Sequence, residues 1–540
     1  MKKIIILSFL LYALGATAQV TLTQSNLPII IITTNGTYIP DEPKVNVNMK
    51  IIWKGDGQIN NVTDQTYNYN GKIGIEMRGS TSAFLSDKKP YAIEIRDALG
   101  NDVDTSLLGM PKESDWALIA PYSDKTLMRD ALIYTLSRSF MEYAPRVRFC
   151  ELIIDNTYMG VFVLTEKIKR NKNRVNIAKT DATALAGSDA ITGGYILKID
   201  KTTGDQPSGT SLSFKSNYLN GATHKTDYLY DFPKPEDITA AQKTYIKAAI
   251  GEFENVMNGS DAINPTIGYS KYFDVNSLID FAIMNEIGKN VDGYRLSTFL
   301  YKDKNSVNSK FKMGPVWDFN IALGNADYCS GNQTSGWAYN FNSICGGDAW
   351  QIPFWWQKIT NDIEFKRKLR DRWTKLRAKE LSDTRIFGMI DSLSTLLSTP
   401  QTRNFQKWNI LTKKVWPNPQ INNSYAGEIS YLRNWLVQRL SWLDFQIGLF
   451  PLATNDVVEQ AQVSPNPSLS AFQFEYTLPE SGKVKLLIFN QLGQIVFQNE
   501  TPQQAGNNQL TWKGDEARGL YFYEIHLDSK RQLAGKLVKD

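Results

Sequence analysis

The feature that most constrains the fold is a change of hydrophobic period along the chain. Before about residue 200, apolar residues come in short runs broken by turn residues. Ile29 to Thr33 and Val45 to Trp53 are apolar β-rich runs separated by Asn-Gly and Pro-rich turns, and Lys72 to Met77 alternates apolar with polar. These read as strands. From about residue 236 the spacing becomes helical, with segments near 236–257, 272–287, 362–381, 383–398 and 428–450. Beyond Ser464 only strand-like runs remain, among them Val484 to Phe489 and Gly519 to Ile525. Strands, then helices, then strands again predict an α+β chain that ends in a small all-β sandwich.

A chain of 540 residues has room for two or more domains. Its 60 basic and 55 acidic side chains leave a net charge of only +5, and no basic block carries interleaved aromatics. That argues for no nucleic-acid partner. The only histidines are His224 and His526, too few for a His-ligated zinc site and poorly placed for a Ser-His-Asp triad. Lys2 and Lys3, the apolar run Ile4 to Leu14 and the small residues Ala16-Thr-Ala18 predict a signal peptide over 1–18. No other segment is long and apolar enough to predict a transmembrane helix.

Export permits disulfides. Cys329 and Cys345 flank an aromatic loop rich in Gly and Asn, and a bridge there would contribute about 3 kcal/mol. Cys150 falls in a strand-like run and reads as a buried free thiol. Trp337 and Tyr339 within the loop are candidates for exposed substrate contacts.

Two carboxylates stand out. Asp292 lies in Asn290-Val-Asp292-Gly-Tyr-Arg295, before the strand-like run Thr298 to Tyr301, and Asp318 follows the next run, in Trp317-Asp-Phe-Asn320. They are 318 − 292 = 26 residues apart, at one end of a predicted β-hairpin. The layout suits a divalent cation with a polyphosphate, one acid accepting a proton and the other holding the metal. It equally suits two acids that cap turns. Other polar features surround the pair in sequence. The turn Arg78-Gly-Ser-Thr-Ser82 offers backbone N–H groups and hydroxyls to phosphate oxygens. Asp124 reads as the N-cap of a helix whose apolar stripe is Met128, Leu132, Leu136 and Phe140. Arg129 in its first turn opposes the helix dipole and calls for a carboxylate or phosphate partner. Glu166 ends a strand beside the basic cluster Lys167 to Arg170, and Gly293 leaves room for a substrate backbone beside Asp292.

Several motifs occur in an order that resembles the CotH family of spore-coat-type atypical protein kinases. They are Arg78-Gly-Ser-Thr-Ser82, Lys88-Lys-Pro-Tyr91, Leu127-Met-Arg129-Asp130, Gly160 to Glu166, Asn285-Glu286, Asn290-Val-Asp292 and Trp317-Asp-Phe-Asn320. The resemblance implies a kinase-like two-lobe domain, with a β-rich small lobe and a helical large lobe. It implies phosphate transfer from ATP to protein hydroxyls with Mg²⁺ or Mn²⁺. Asp292 would then be the catalytic acid, Asp318 with Asn320 the metal ligands, and Arg78, Lys89, Arg129 and Glu166 the cofactor-binding residues. Lys88 is the neighbouring alternative to Lys89, since adjacent strand residues face opposite sides. Two positions depart from the family: Asn320 replaces a frequent acid, and Arg295 to Ser297 replace a frequent Asn.

At the other end, Ser464-Pro-Asn-Pro467, Phe489 to Gly493, Gly519 to Phe522 and Lys536 to Lys539 resemble a type A sorting domain of the type IX secretion system. That implies passage through the outer membrane of a Bacteroidota-type bacterium, with the secretion machinery as a partner and the tail removed. The reading therefore divides the chain into a signal peptide (1–18), a β-rich segment (19–70), a CotH kinase-like domain (71–452), a linker (453–462) and a sorting sandwich (463–540). The expected function is a secreted or surface-attached kinase acting on an unidentified protein substrate. The alternative is an inactive kinase-fold protein used for surface binding or adhesion.

Overall fold

A computed structural model describes residues 20–79, 84–202, 212–221, 224–451, 461–478, 481–491, 494–514, 516–528 and 530–540. The expected signal peptide, the Ser80 to Ser82 part of the polar turn and most of the expected linker lie outside the described residues. The chain divides into two compact units, Met1–Phe450 and Pro451–Asp540. It is a mixed α+β chain: β-rich first, helical in the middle and all-β at its C-terminal end.

Seven strands of the first unit close into a barrel: β1 (Ile29–Thr33), β2 (Val45–Ile52), β3 (Tyr67–Met77), β4 (Tyr91–Arg96), β5 (Asp115–Ile119), β6 (Val147–Ile154) and β7 (Thr157–Glu166). Their order is β1-β2-β3-β4-β5-β7-β6, and a parallel pairing of β1 with β6 completes the ring. The inward residues come two apart on each strand, as in Ile73 and Ile75, Ile93 and Ile95, or Phe162 and Leu164. Strands β6 and β7 bury both faces. Val161 and Val163 point away from Phe162 and Leu164, into a second core shared with the helices. That explains the unbroken apolar run Tyr158 to Leu164 of β7. The β6–β7 turn places Asp155 at φ 44 and Asn156 at φ 66, the two positive angles a tight hairpin needs.

A second sheet has the order β9-β10-β8-β11-β12, from β8 (Tyr195–Ile199), β9 (Ser213–Asn220), β10 (His224–Phe232), β11 (Thr298–Lys302) and β12 (Phe311–Met313). The longer helices among the described residues are α1 (Arg129–Ser137), α2 (Ala240–Asn258), α3 (Val275–Gly288), α4 (Phe354–Asn361), α5 (Ile363–Arg377), α6 (Asp383–Leu397), α7 (Pro400–Lys407) and α8 (Tyr425–Gly448). Capping fixes several starts. Asp274 accepts from the Ser277 N–H, Asp362 from Glu364 and Phe365, and Ser424 from Gly427. Among the described residues, no helix is long and apolar enough to cross a membrane.

Asp124 differs from its sequence reading. Helix α1 begins five residues later, at Arg129, without a side-chain cap. The Asp124 carboxylate closes a turn on Thr126 instead and reaches the Arg129 N–H at 2.8 Å. Short polar side chains favour such local turns over helix starts.

Helix α7 docks on the barrel through Gly160, whose φ of 101 lies in the left-handed region. A Cβ there would lie 2.6 Å from Asn404 Oδ1 and 3.0 Å from Trp408 Nε1. That close approach lets Asn404 accept from the Val161 N–H at 3.1 Å and from the buried Lys88 ammonium at 2.9 Å. Lys88 also donates to the carbonyls of Val161 and Pro121. Burial pushes the Lys88 ammonium down to about 7.

The second unit is a β-sandwich. One sheet runs β13 (Gln462–Ser464), β14 (Phe472–Leu478), β17 (Gly506–Trp512). The other orders β16 (Ile495–Gln503), β15 (Gly482–Phe489), β18 (Gly519–Leu527) and β19 (Lys530–Lys539). Phe472, Phe474, Val484, Leu486, Trp512 and Ile525 fill the space between the sheets.

Asn404→Ala would strip an acceptor from both Lys88 and Val161. It is expected to destabilise the larger unit by about 1–3 kcal/mol, read as a lower urea midpoint at unchanged slope.

Candidate active site

Asp292 lies in the loop between α3 and β11, and Asp318 follows β12. Strands β11 and β12 are antiparallel, pairing Leu300 with Met313 and Lys302 with Phe311. The start of one strand therefore lies beside the end of the other, and both acids sit at that end.

Helix α1 fixes the Asp318 side. Tyr134 and Asp130 lie four residues apart on one helix face. The Asp318 N–H donates to the Tyr134 hydroxyl at 2.9 Å, and the Phe319 N–H donates to Asp130 Oδ1 at 2.6 Å. Arg129 donates to the Leu323 carbonyl from a fully buried ion pair with Asp124. The Tyr134 ring stacks on Trp317 at 5.7 Å, and the Arg78 guanidinium lies over the same indole at 5.4 Å. Asp318 itself holds a φ of 64, which few non-glycine residues adopt.

Arg295 fixes the Asp292 side. It is buried and donates to Asp292 Oδ1 at 2.8 Å, to the Val291 carbonyl at 2.7 Å and to the Trp350 carbonyl at 3.0 Å. It also pairs with Asp348 at 3.2 Å, and its guanidinium stacks 4.0 Å from the centre of the Phe341 ring. Asn290 ties the two loops together. It accepts from the Asp292 N–H and donates to the Asp318 carbonyl, each at 3.2 Å. Beneath them, the buried Glu286 accepts from the N–H groups of Ala338 and Tyr339 and from Arg439 of α8. Cys329 and Cys345 are disulfide-bonded and close the loop carrying those amides, while Cys150 is a buried free thiol.

The electrostatics follow from this crowding. Burial, then the charges of Asp292 and Asp200, push the Asp318 carboxyl up to about 6, against the pull of Arg78. Burial, then Asp318, raise Asp130 to about 7. Burial also raises Asp292, opposed by Arg295 and Lys201. Lys167 is lowered by burial and by Arg78. The Ser297 hydroxyl donates to Asp318 Oδ2 at 3.4 Å, while the Asn320 backbone carbonyl accepts from Asn325 at 2.8 Å. Among the described residues no three His, Cys, Asp or Glu side chains converge on one point.

The sequence-nominated residues separate into groups. The charges of Asp292 and Arg78 both act on Asp318. Arg129 is committed to Asp124. Glu166 is fully buried and takes Arg146 at 3.0 Å, the Arg146 N–H at 2.9 Å and the Tyr143 hydroxyl at 3.3 Å. Lys88 is the buried member of its pair and Lys89 is half-buried. Gly293 does not open space for a substrate. A Cβ there would lie 2.2 Å from Asn285 Oδ1, so the protein itself fills that space. Trp337 is not a free contact surface either, since it packs on Tyr339, Trp442 and Phe450 at 5.1, 4.9 and 5.6 Å.

The family described as CotH kinase protein matches residues 75–443, a span containing every side chain of this site. The chain belongs to the CotH kinase family. A secretion system C-terminal sorting domain matches residues 462–540 of this CotH-family chain, which marks it for secretion or the cell surface. One curated protein, the probable splicing factor 3B subunit 3 of Dictyostelium discoideum, is 30% identical over 100 residues. That stretch covers 18% of the chain and 8% of the other protein. Among solved structures, an immunoglobulin-like protein from Pseudomonas aeruginosa matches at 12% identity and TM-score 0.12, over 17% of this chain and 85% of its own. The alkylpurine DNA glycosylase AlkC of Pseudomonas fluorescens, bound to DNA containing an abasic site analog, matches at 13% identity and TM-score 0.13, over 34% and 55%. Likenesses this weak carry no argument.

Sequence reasoning missed Asp130, Tyr134, Asp200, Arg295 and Lys167 as parts of the CotH-family site. A signal existed for the first two: polar side chains four apart on a helix whose other stripe is apolar.

The raised acids make stability pH-dependent. A carboxyl whose folded value exceeds its unfolded one stabilises fully below its ordinary range and loses that contribution as pH rises through the folded value. For Asp130 the loss runs up to about pH 7, with Asp318 adding in the same direction near 6. The metal-free protein is therefore expected to melt higher near pH 5.5 than near pH 8. Asp130→Asn keeps an acceptor for Phe319 and should flatten the upper part of that slope in thermal scans. Parallel curves for the two proteins would remove Asp130 from the account.

Proposed function

We propose that this CotH-family chain is a secreted or surface-attached protein kinase. In this reading it transfers the terminal phosphate of ATP to a hydroxyl of an acceptor protein, within a kinase-like two-lobe domain. The observation that carries the reading is the convergence of Asp292 and Asp318, 26 residues apart in sequence, each held by its own buried arginine-bearing framework. Asp318, with the Asn320 amide, would hold Mg²⁺ or Mn²⁺, which when bound would offset charge on the transferring phosphoryl group.

The chain's own residues then have distinct tasks. Asp292 accepts the proton of the acceptor hydroxyl. Its ion pair with Arg295 fixes the carboxylate direction, and its raised affinity for protons brings it nearer a working base. Arg78 and Lys167 act on each other electrostatically and supply positive field on the Asp318 side, where phosphates would lie. Lys89 follows the polar turn and serves as a further phosphate partner. Arg129 and Glu166 contribute as struts, the first behind the Asp318 loop and the second at the end of β7 beside Lys167. The sorting domain suggests export by type IX machinery with tail removal, and the N-terminal Lys-rich apolar segment suggests an initial signal peptide.

A second reading, a surface-binding protein that keeps the fold without turnover, draws on two features. Asn320 brings no charge to the metal, and Asp292 is already ion-paired at 2.8 Å. Turnover separates the readings. Mature protein is incubated with labelled ATP, Mg²⁺ or Mn²⁺ and a mixed protein acceptor, and phosphate on Ser, Thr or Tyr is sought by mass spectrometry. Asp292→Asn is expected to lower transfer by at least about 100-fold while sparing ATP affinity. Asn320→Asp is expected to tighten metal binding or speed turnover. No transfer by the wild type with either metal would leave the binding reading in its place.

A further inference from the structure

One exposed feature beside the acids has no part in the mechanism above. Tyr328 and Trp416 stack with ring centroids 5.8 Å apart and planes 10° apart. Trp416 is 50% exposed, so one indole face rests on Tyr328 while much of the ring meets solvent. The supporting loops are firmly tied. The Asp327 N–H donates to the Pro417 carbonyl at 2.8 Å, and Lys414 pairs with Asp327 at 2.9 Å. Asn418 donates to the Ser123 carbonyl at 2.7 Å and to Asn325 Oδ1 at 2.9 Å, and Lys125 donates to the Lys413 carbonyl at 2.6 Å. A flat aromatic surface held this way is organised before any ligand arrives.

Its position relates it to one acid in particular. Tyr328 packs on the cluster of Val291, Ile321 and Ala326, and Val291 directly precedes Asp292. After burial, the charge of Asp292 is the largest influence raising the Tyr328 hydroxyl, ahead of Asp318. Arg78, the cation suited to phosphate, stands over Trp317 on the Asp318 side instead. The platform thus adjoins the acceptor acid rather than the phosphate partners.

We propose that Tyr328 and Trp416 form an acceptor subsite, which takes the flat face of a proline or aromatic residue flanking the target hydroxyl of a polypeptide. This rests on the kinase reading given above. A stacked indole favours planar apolar partners, and a proline-bearing segment is already extended and loses little freedom on docking. The subsite would make Trp416 a specificity-determining residue without a role in the chemical step.

Mature wild-type protein and the Trp416→Ala and Trp416→Phe variants test this on an array of Ser, Thr and Tyr peptides. Proline or tryptophan scans the positions around each hydroxyl. Binding is measured first, with Mg²⁺ and a non-hydrolysable ATP analogue, and phosphate transfer from ATP second. Peptides with a flanking proline or aromatic residue are expected to bind best. Trp416→Ala should weaken them about 3- to 10-fold, with Trp416→Phe close to wild type and affinity for the ATP analogue unchanged. That binding pattern without any transfer would sustain the subsite and remove the kinase reading. Transfer with the same peptide preference in Trp416→Ala would overturn the subsite and leave the kinase reading intact. Loss of analogue affinity in place of peptide affinity would assign the platform to the nucleotide base and overturn the proposal. Failure to bind any such peptide would overturn it as well.

Discussion

The grip of α1 on the segment from Asp318 to Leu323 is the interaction on which the site depends. Two backbone N–H groups and one carbonyl of that segment end on Tyr134, Asp130 and Arg129, three side chains within six residues. Asp318 is thereby held in a left-handed conformation that costs on the order of 1–3 kcal/mol and persists only where contacts over-determine it. Without α1 the carboxylate would relax away from Asp292. The helix can serve this purpose because it is buried nearly throughout, between strands β6 and β7 and the helical core.

Charge balance gives the arrangement its chemical direction. The framework behind Asp292 is closed electrostatically: Arg295 meets Asp292 and Asp348, and Arg439 meets Glu286. On the Asp318 side burial comes first and neighbouring carboxylates add to it, so the carboxyls of Asp318 and Asp130 both rise. In the proposed function, a divalent cation brought in with a polyphosphate would relieve that excess of negative charge. Arg295 has the opposite effect on its own neighbour, fixing Asp292 in direction while its charge opposes protonation.

The sequence made some of this legible and hid the rest for physical reasons. The change of period was readable because strands and helices impose different spacings on apolar residues. Asp292 and Asp318 stood out as acids in loops flanking one hairpin. Barrel closure was not readable: it pairs residues 29–32 with 151–154 in parallel, and no local pattern names so distant a partner. The role of Gly293 was misread because what fills its space is Asn285, eight residues earlier on α3. Trp337 and Tyr339 looked exposed because their loop is polar, yet the loop is drawn onto Glu286 and the α8 aromatics. Arg129 showed its need for a carboxylate in sequence, and the structure supplies Asp124 from five residues away.

In the proposed function, the α1-held Asp318 forms a metal-dependent phosphate site. Calorimetric titration of mature protein with ATP, with Mg²⁺ present and with Mg²⁺ removed by chelator, tests it most directly. The expected result is saturable binding that requires the metal and disappears in Asp318→Asn. Binding that is equally strong without metal, or no binding in either condition, would contradict the account.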